Sequence, residues 1–184
     1  MKTIKVLFLA SEADPLVKVG GLGDVAGSLP PALQVLTTEK TGGYTMDVRT
    51  VIPFHAAVRK KVPDAELLFD FEVPAVDGPV KAQAYRTEDN GVTIYLIAGE
   101  PFGPHTPVYS PDAAVGGQMY VFFSMAALEF IKKLDWKPDI LHANDWHTAL
   151  AVYSLKQRRV SDLYFKDMRS VLGVHNLPFM GAGS

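Results

Sequence analysis

Short apolar runs bounded by polar breaks recur along the chain. Ile4-Lys5-Val6-Leu7-Phe8-Leu9-Ala10 is dominated by β-branched and large apolar residues and ends at Ser11-Glu12, which predicts a buried strand. Asp24 to Leu36 repeats apolar positions at helical spacing (Val25, Leu29, Leu33, Leu36), and Pro30-Pro31 inside it predicts a kink or a restart. Thr37 to Tyr44 is polar with Gly42-Gly43, a surface loop, and Asp47 to Pro53 is a second strand closed by proline. Leu67 to Val73 and Val80 to Tyr85 alternate with period two around Pro74 to Pro79, which predicts a hairpin added to the main sheet. Val92 to Ile97 follows the Asn90-Gly91 turn as another buried strand.

Gly99 to Gly117 lacks periodicity and reads as a long irregular stretch, the kind of segment that often carries function. Met119 to Leu134 is apolar nearly all round, which predicts a buried helix, with Lys132-Lys133 on the favourable side of its dipole. Pro138 to His142 reads as a strand, Thr148 to Gln157 as a helix and Ser170 to Asn176 as the last strand. Strands alternating with helices imply βαβ units, hence an α/β fold with a doubly wound, mostly parallel sheet. In such sheets ligands bind beyond the carboxyl ends of the strands. Lys18 and its glycines, His55, His105, His142, Asp145, His147 and His175-Asn176 all fall at or just after those ends, which predicts one crevice rim.

Lys18-Val19-Gly20-Gly21-Leu22-Gly23-Asp24-Val25 is the most conspicuous of these segments. Its glycines leave backbone N–H groups uncovered and its lysine adds a cation, so an anion such as phosphate fits it, near a helix N-terminus. A tight strand-to-helix connection is the plainer reading of the same residues. A nicotinamide fingerprint is disfavoured: Gly21 to Gly27 lies about ten residues past the strand, and Asp47 opens the second strand instead of closing it. His142-Ala143-Asn144-Asp145-Trp146-His147 lacks the helical spacing of a zinc site, so a metal is not expected there, and buried, hydrogen-bonded side chains are the commoner fate. His175-Asn176 reads either as a strand-end cap or as a pair that hydrogen-bonds sugar hydroxyls. Trp146 and Phe179 read as packing residues.

Composition narrows the classes. At 184 residues and 48% hydrophobic, the chain is long enough to bury roughly 70% of its unfolded surface, as one domain. A formal charge of -2 without any basic block leaves no electrostatic footprint for nucleic acid or an anionic membrane. Cysteine is absent, which excludes disulfides and thiol nucleophiles. Met1-Lys2-Thr3-Ile4-Lys5 shows no signal-peptide pattern, and no apolar stretch approaches the ~20 residues of a span, so a cytoplasmic protein is expected.

The order of Ser11-Glu12, Lys18 to Val25, His142 to His147 and Val174-His175-Asn176-Leu177 resembles the bacterial glycogen synthase and plant starch synthase family, as does Phe122 to Glu129. The resemblance implies the N-terminal half of a GT-B glycosyltransferase, a fold of two Rossmann-like domains. It also implies a retaining transfer of glucose from ADP-glucose to the non-reducing end of an α-1,4-glucan, with no cofactor beyond the sugar nucleotide and no metal. By matching motif, Lys18, Gly20 and Gly21 would lie against the donor phosphates, and Asp145 and His175, with Asn176 beside them, against the transferring glucose. The family usually has Thr at Val19, a second His at Asn144 and Tyr-Gln at Phe179-Met180. It also carries an Asp-Asn pair and an Arg where this chain reads Val115 to Met119.

Because the family's first domain continues further and a second domain supplies most of the nucleotide site, residues 1–184 are expected to be a partial N-terminal domain. The C-terminal nucleotide-binding domain is then absent, and the isolated chain has little or no transferase activity. Two alternatives remain beside this reading, a non-catalytic glucan- or nucleotide-binding module and a nucleotide-dependent oxidoreductase.

Overall fold

The computed structural model describes residues 2–178 and 181. In chain order the elements are β1 (Lys2–Leu9), α1 (Gly21–Gln34), β2 (Tyr44–Pro53), α2 (Ala56–Lys61), β3 (Glu66–Val73), β4 (Val80–Asp89) and β5 (Val92–Gly99). After a 3-10 turn (Glu100–Phe102) come α3 (Ala113–Lys133), β6 (Ile140–Asn144), α4 (Trp146–Ser161) and β7 (Arg169–Gly173). The strands form one sheet in the order β3-β4-β5-β2-β1-β6-β7. β5, β2, β1, β6 and β7 run parallel, while β3 and β4 add an antiparallel meander on β5. The expected α/β architecture with an added hairpin is therefore the one observed.

Apolar residues on both faces of the central strands explain why they read as continuous runs. Leu7 and Leu9 of β1, with Val51, Tyr95 and Ile97, face a core filled by Phe123, Ala127, Phe130 and Ile131 of α3 and by Ala151 and Leu155 of α4. Phe8 and Ala10, with Ile52, Ile94 and Leu96, face the opposite core, closed by Ala26 of α1 and Val58 of α2. α1 packs closely on the segment after β1: a Cβ at Gly27 would lie 2.3 Å from the Asp14 carbonyl oxygen. Only glycine fits that contact.

Several boundaries differ from the sequence reading. α1 begins three residues earlier than expected, at Gly21, and runs through Pro30-Pro31 without a break. The prolines remove amides that would have reached the Ala26 and Gly27 carbonyls, yet their fixed φ is compatible with a helix. α3 begins at Ala113, because Asp112 caps it: its Oδ1 accepts from Ala114 N at 2.8 Å and Val115 N at 3.1 Å. Gly116-Gly117 in the first turns hid that start. α2, expected only as a charged connection, is one and a half turns long. β6 ends at Asn144, so His142 lies within the strand, and α4 begins at Trp146.

The expectation about apolar length also changes. α3 is long and apolar enough by composition to cross a membrane, and 61% of its apolar window is buried inside the protein. Here it is the central core helix.

Candidate functional site

The sheet order places the topological switch at β1. The chain goes from β1 to β2 on one side and later returns to β6 on the other, so the segments after β1 and β6 part in opposite directions. A cleft of about 690 Å³ opens at that point. On one wall lie Glu12 and the glycine loop with the N-terminus of α1; on the other lie Asp145, Trp146 and His147 at the N-terminus of α4, followed by His175 and Asn176. Two helix N-termini therefore face one cavity, each with first-turn amides that have no intrahelical partner.

The first wall is held by a buried carboxylate. Glu12 is 1% exposed. It accepts hydrogen bonds from the Val19 amide, from the Gly20 amide at 3.1 Å and from the Tyr109 hydroxyl at 3.0 Å. Tyr109 also meets Ser11 Oγ at 2.9 Å, which ties the long loop before α3 to the end of β1. Burial first, then the Glu12 charge among smaller causes, pushes the Tyr109 phenol well above its ordinary range, so it stays a hydrogen-bond donor.

This geometry gives two residues of the glycine loop partners within the chain. Gly20 and Gly21 both line the cleft, but the Gly20 amide is taken by Glu12, while Gly21 stands at the first position of α1. Lys18 does not line the cleft. Its Nζ pairs with Asp24 Oδ1 at 2.5 Å, and both side chains are about half exposed. The Asp24 partner holds the Lys18 ammonium above its ordinary pKa.

The second wall is built on Asp145, the residue before α4. Its φ of 55° and ψ of -174° lie in a region that non-glycine residues rarely adopt. The Asp145 amide donates to the Gly173 carbonyl at 2.8 Å, and its Oδ1 accepts from the His175 amide at 2.7 Å. The strained turn thus directs the carboxylate away from its own helix and onto the loop after β7, giving one wall shared by Asp145 and His175. Asn144, fully buried, meets His175 Nε2 through Oδ1 at 2.9 Å.

The five histidines separate into different roles. His147 is buried, with its ring 4.0 Å from the Trp146 ring, 4.5 Å from Tyr120 and 5.0 Å from Tyr109. Its Nδ1 has no hydrogen-bond partner among the described residues. Burial drives its pKa down to about 4, with His55 adding to the effect and Asp145 opposing it. His55 is also fully buried; its Nε2 donates to the Ser11 carbonyl at 3.0 Å, and burial lowers it to about 4. His142 packs edge-on against Phe8 at 4.7 Å, outside the cleft lining, and burial followed by the nearby His175 lowers its pKa. His105 lies exposed in the loop before α3. His175 and His147 are the two that reach the cleft. Among the described residues, no three His, Cys, Asp or Glu side chains are grouped to hold a metal ion.

His55 and His147 give the protein a directed pH response. Their folded pKa values lie below the ordinary 6.5, so the unfolded chain binds more protons between pH 6.5 and about 4. Stability is full above that window and falls as pH drops through it, by about 1 kcal/mol per pH unit for each histidine. Urea titrations at pH 7 and pH 5 are expected to show this loss, and a His55→Gln, His147→Gln double variant is expected to show a shallower one. A double variant with the parent's pH slope would rule the histidines out as its source.

Glu12, Tyr109 and Trp146 line the cleft although the sequence assigned them no site role: Glu12 entered only within the family resemblance and Trp146 only as a packing residue. Glu12 left one signal: an acid directly after a buried strand and seven residues before a run of uncovered amides. Trp146 packs as expected, and it also lines the cleft. Phe179 and Met180 lie outside the described residues.

A Rossmann-like parallel sheet with its cleft at the β1/β6 switch, walled by two helix N-termini, defines a doubly wound α/β domain, a class whose ligands bind at that switch. The comparisons narrow that class. The family model described as starch synthase catalytic domain matches residues 5–184, so the chain belongs to that family. The glycogen synthase of Aliivibrio salmonicida (strain LFI1238) is 37% identical over 184 residues, a match covering 98% of this chain and 36% of the relative. That of Clostridium perfringens (strain 13 / Type A) is 36% identical over 182 residues, with the same shares. The chain thus spans about a third of the length of the curated relatives it matches. The solved catalytic domain of Starch Synthase IV from Arabidopsis thaliana, bound to ADP and acarbose, superposes with a TM-score of 0.64 at 24% identity. That match covers 96% of this chain and 34% of the solved one, and it shows that this chain shares the fold of one part of that domain.

Proposed function

We propose that this chain forms the acceptor-side wall of a glycogen- or starch-synthase-type cleft. In it, glucose passes with retention from ADP-glucose to the non-reducing end of an α-1,4-glucan. The observation that carries the reading is the cleft itself: Asp145 and His175 share one wall, and the N-terminus of α1 stands opposite. Departure of a nucleoside diphosphate develops negative charge, which fixed amides stabilise, and leaves a cation-like sugar, which a carboxylate stabilises. Asp145 is the carboxylate placed for this, since among the described residues the His175 amide occupies its Oδ1 alone. Gly21 offers an amide at the α1 terminus, and His175 and Asn176 offer hydrogen bonds to sugar hydroxyls.

Lys18 enters this scheme only by leaving Asp24. The scheme needs no resident cofactor or metal, because the chain's own amides and carboxylate meet the charges that develop. The longer relatives and the ADP and acarbose bound in the Arabidopsis structure support a donor and a glucan as the two partners. A second domain closing over the cleft would supply the remaining groups, including those that choose between ADP- and UDP-glucose. One observation favours a second reading, a non-catalytic glucan- or nucleotide-binding module: Glu12 and Asp24 already occupy Gly20 and Lys18.

The test is incorporation of labelled glucose from ADP-glucose into glycogen. The isolated chain is expected to give little or none, and its fusion to the remaining two-thirds of the Aliivibrio salmonicida relative to give turnover. A rate for the chain alone near that of the full-length relative would overturn the half-cleft reading. A fusion that binds maltooligosaccharide without turnover would favour the binding module.

A further inference from the structure

His175 is held at three points, and two of them involve residues with no role in the scheme above. Its backbone amide is fixed on Asp145 Oδ1 at 2.7 Å. Its ring Nε2 lies 2.9 Å from Asn144 Oδ1. The ring also passes over Gly173, where an added Cβ would lie 3.1 Å from His175 Nε2 and 2.9 Å from Asn144 Oδ1. Any side chain at 173 would therefore press on both partners of that hydrogen bond.

The orientation of Asn144 is itself determined. Its Nδ2 donates to the Leu9 carbonyl at 2.9 Å, at the end of β1, with the His142 carbonyl further off at 3.5 Å. Reversing the amide would set its oxygen against these carbonyls, so Oδ1 must face His175. A carboxamide oxygen only accepts. His175 Nε2 therefore carries the proton, and Nδ1, which has no partner among the described residues, carries a lone pair.

From this geometry we infer that Asn144 and Gly173 are positioning residues that hold His175 as the Nε2-protonated tautomer, leaving Nδ1 as a hydrogen-bond acceptor. The device links the end of β1, through Asn144 on β6, to the loop after β7, so the ring's protonation pattern is set by the sheet itself. What Nδ1 receives rests on the proposed function, in which it would be a sugar hydroxyl. The tautomer does not depend on that function.

The experiment is nitrogen–proton NMR of the full chain, labelled at histidine, at neutral pH and without ligand. The parent is expected to show a protonated Nε2, an unprotonated Nδ1 and an Nε2–H protected from solvent exchange. Asn144→Leu is expected to lose the protected signal, its exchange rising about tenfold or more for a loss of roughly 1.4 kcal/mol. Asn144→Asp keeps an acceptor toward His175 and is expected to retain it, with lowered stability because its second oxygen then faces the Leu9 carbonyl, and Gly173→Ala is expected to weaken it. A parent ring protonated at Nδ1, or a protected Nε2–H that persists in Asn144→Leu, would overturn the inference. If Asn144→Leu does not fold, the parent spectrum and the Gly173→Ala and Asn144→Asp pair decide it. Since no substrate is present, a failure here leaves the transferase reading standing, and failure of that reading leaves the tautomer standing.

Discussion

Glu12→Ala is expected to lower the unfolding free energy by about 3–4 kcal/mol, more than any other single change in the first wall of the cleft. The carboxylate is almost entirely buried and receives three donors, the Val19 and Gly20 amides and the Tyr109 hydroxyl. Truncation leaves the two amides without their acceptor and the Tyr109 hydroxyl with Ser11 Oγ alone, and each orphaned donor costs about 1–3 kcal/mol. Partial relaxation of the exposed glycine loop toward solvent holds the total below the sum. Glu12→Gln keeps Oε1 as an acceptor but turns an amide donor toward amide donors, so an intermediate loss is expected. Urea unfolding at pH 7 with an unchanged slope measures both. A Glu12→Ala loss under 1 kcal/mol would mean that the loop finds other acceptors. The consequence for the site is that Glu12 is a structural clamp across the place where a phosphate cradle was expected.

That clamp also shows which parts of the molecule can be read from the sequence. β1 and β6 are legible because the parallel sheet buries both their faces, and the β3–β4 hairpin because it alternates. Element starts are harder. α3 begins at a cap, Asp112, followed by alanines and glycines that carry no apolar period. α4 begins inside a segment whose His and Asp residues draw attention as chemistry. At the site, Asp145, His175 and Asn176 fall on the cleft because residues after parallel strands must lie on its rim. Gly20 and Lys18 are different: whether an amide or an ammonium is free depends on Glu12 and Asp24, and only folding decides which partner each finds. His55 illustrates the same limit, since its position after β2 suits the rim, yet its ring is buried on the Ser11 carbonyl.

Asp145 carries the largest expected effect on activity, and three variants separate its two roles. Its backbone sits at φ 55° and ψ -174°, a conformation open to glycine and costly for a residue with a Cβ. Asp145→Gly relieves that cost and Asp145→Ala retains it, while both lose the hydrogen bond to the His175 amide. The glycine variant is therefore expected to be more stable than the alanine variant by about 1–2 kcal/mol in urea unfolding. Asp145→Asn keeps an acceptor for His175 and removes the charge. In the fusion that restores turnover, Asp145→Asn is expected to lower kcat for glucose transfer from ADP-glucose by roughly 10²–10³-fold, the scale of a lost electrostatic contact to the reacting centre. Its stability should stay close to the parent's, because the clamp on His175 persists. If Asp145→Asn keeps kcat within threefold while Asp145→Ala abolishes it, the carboxylate serves only to hold the loop after β7, and the charge facing the sugar must come from elsewhere.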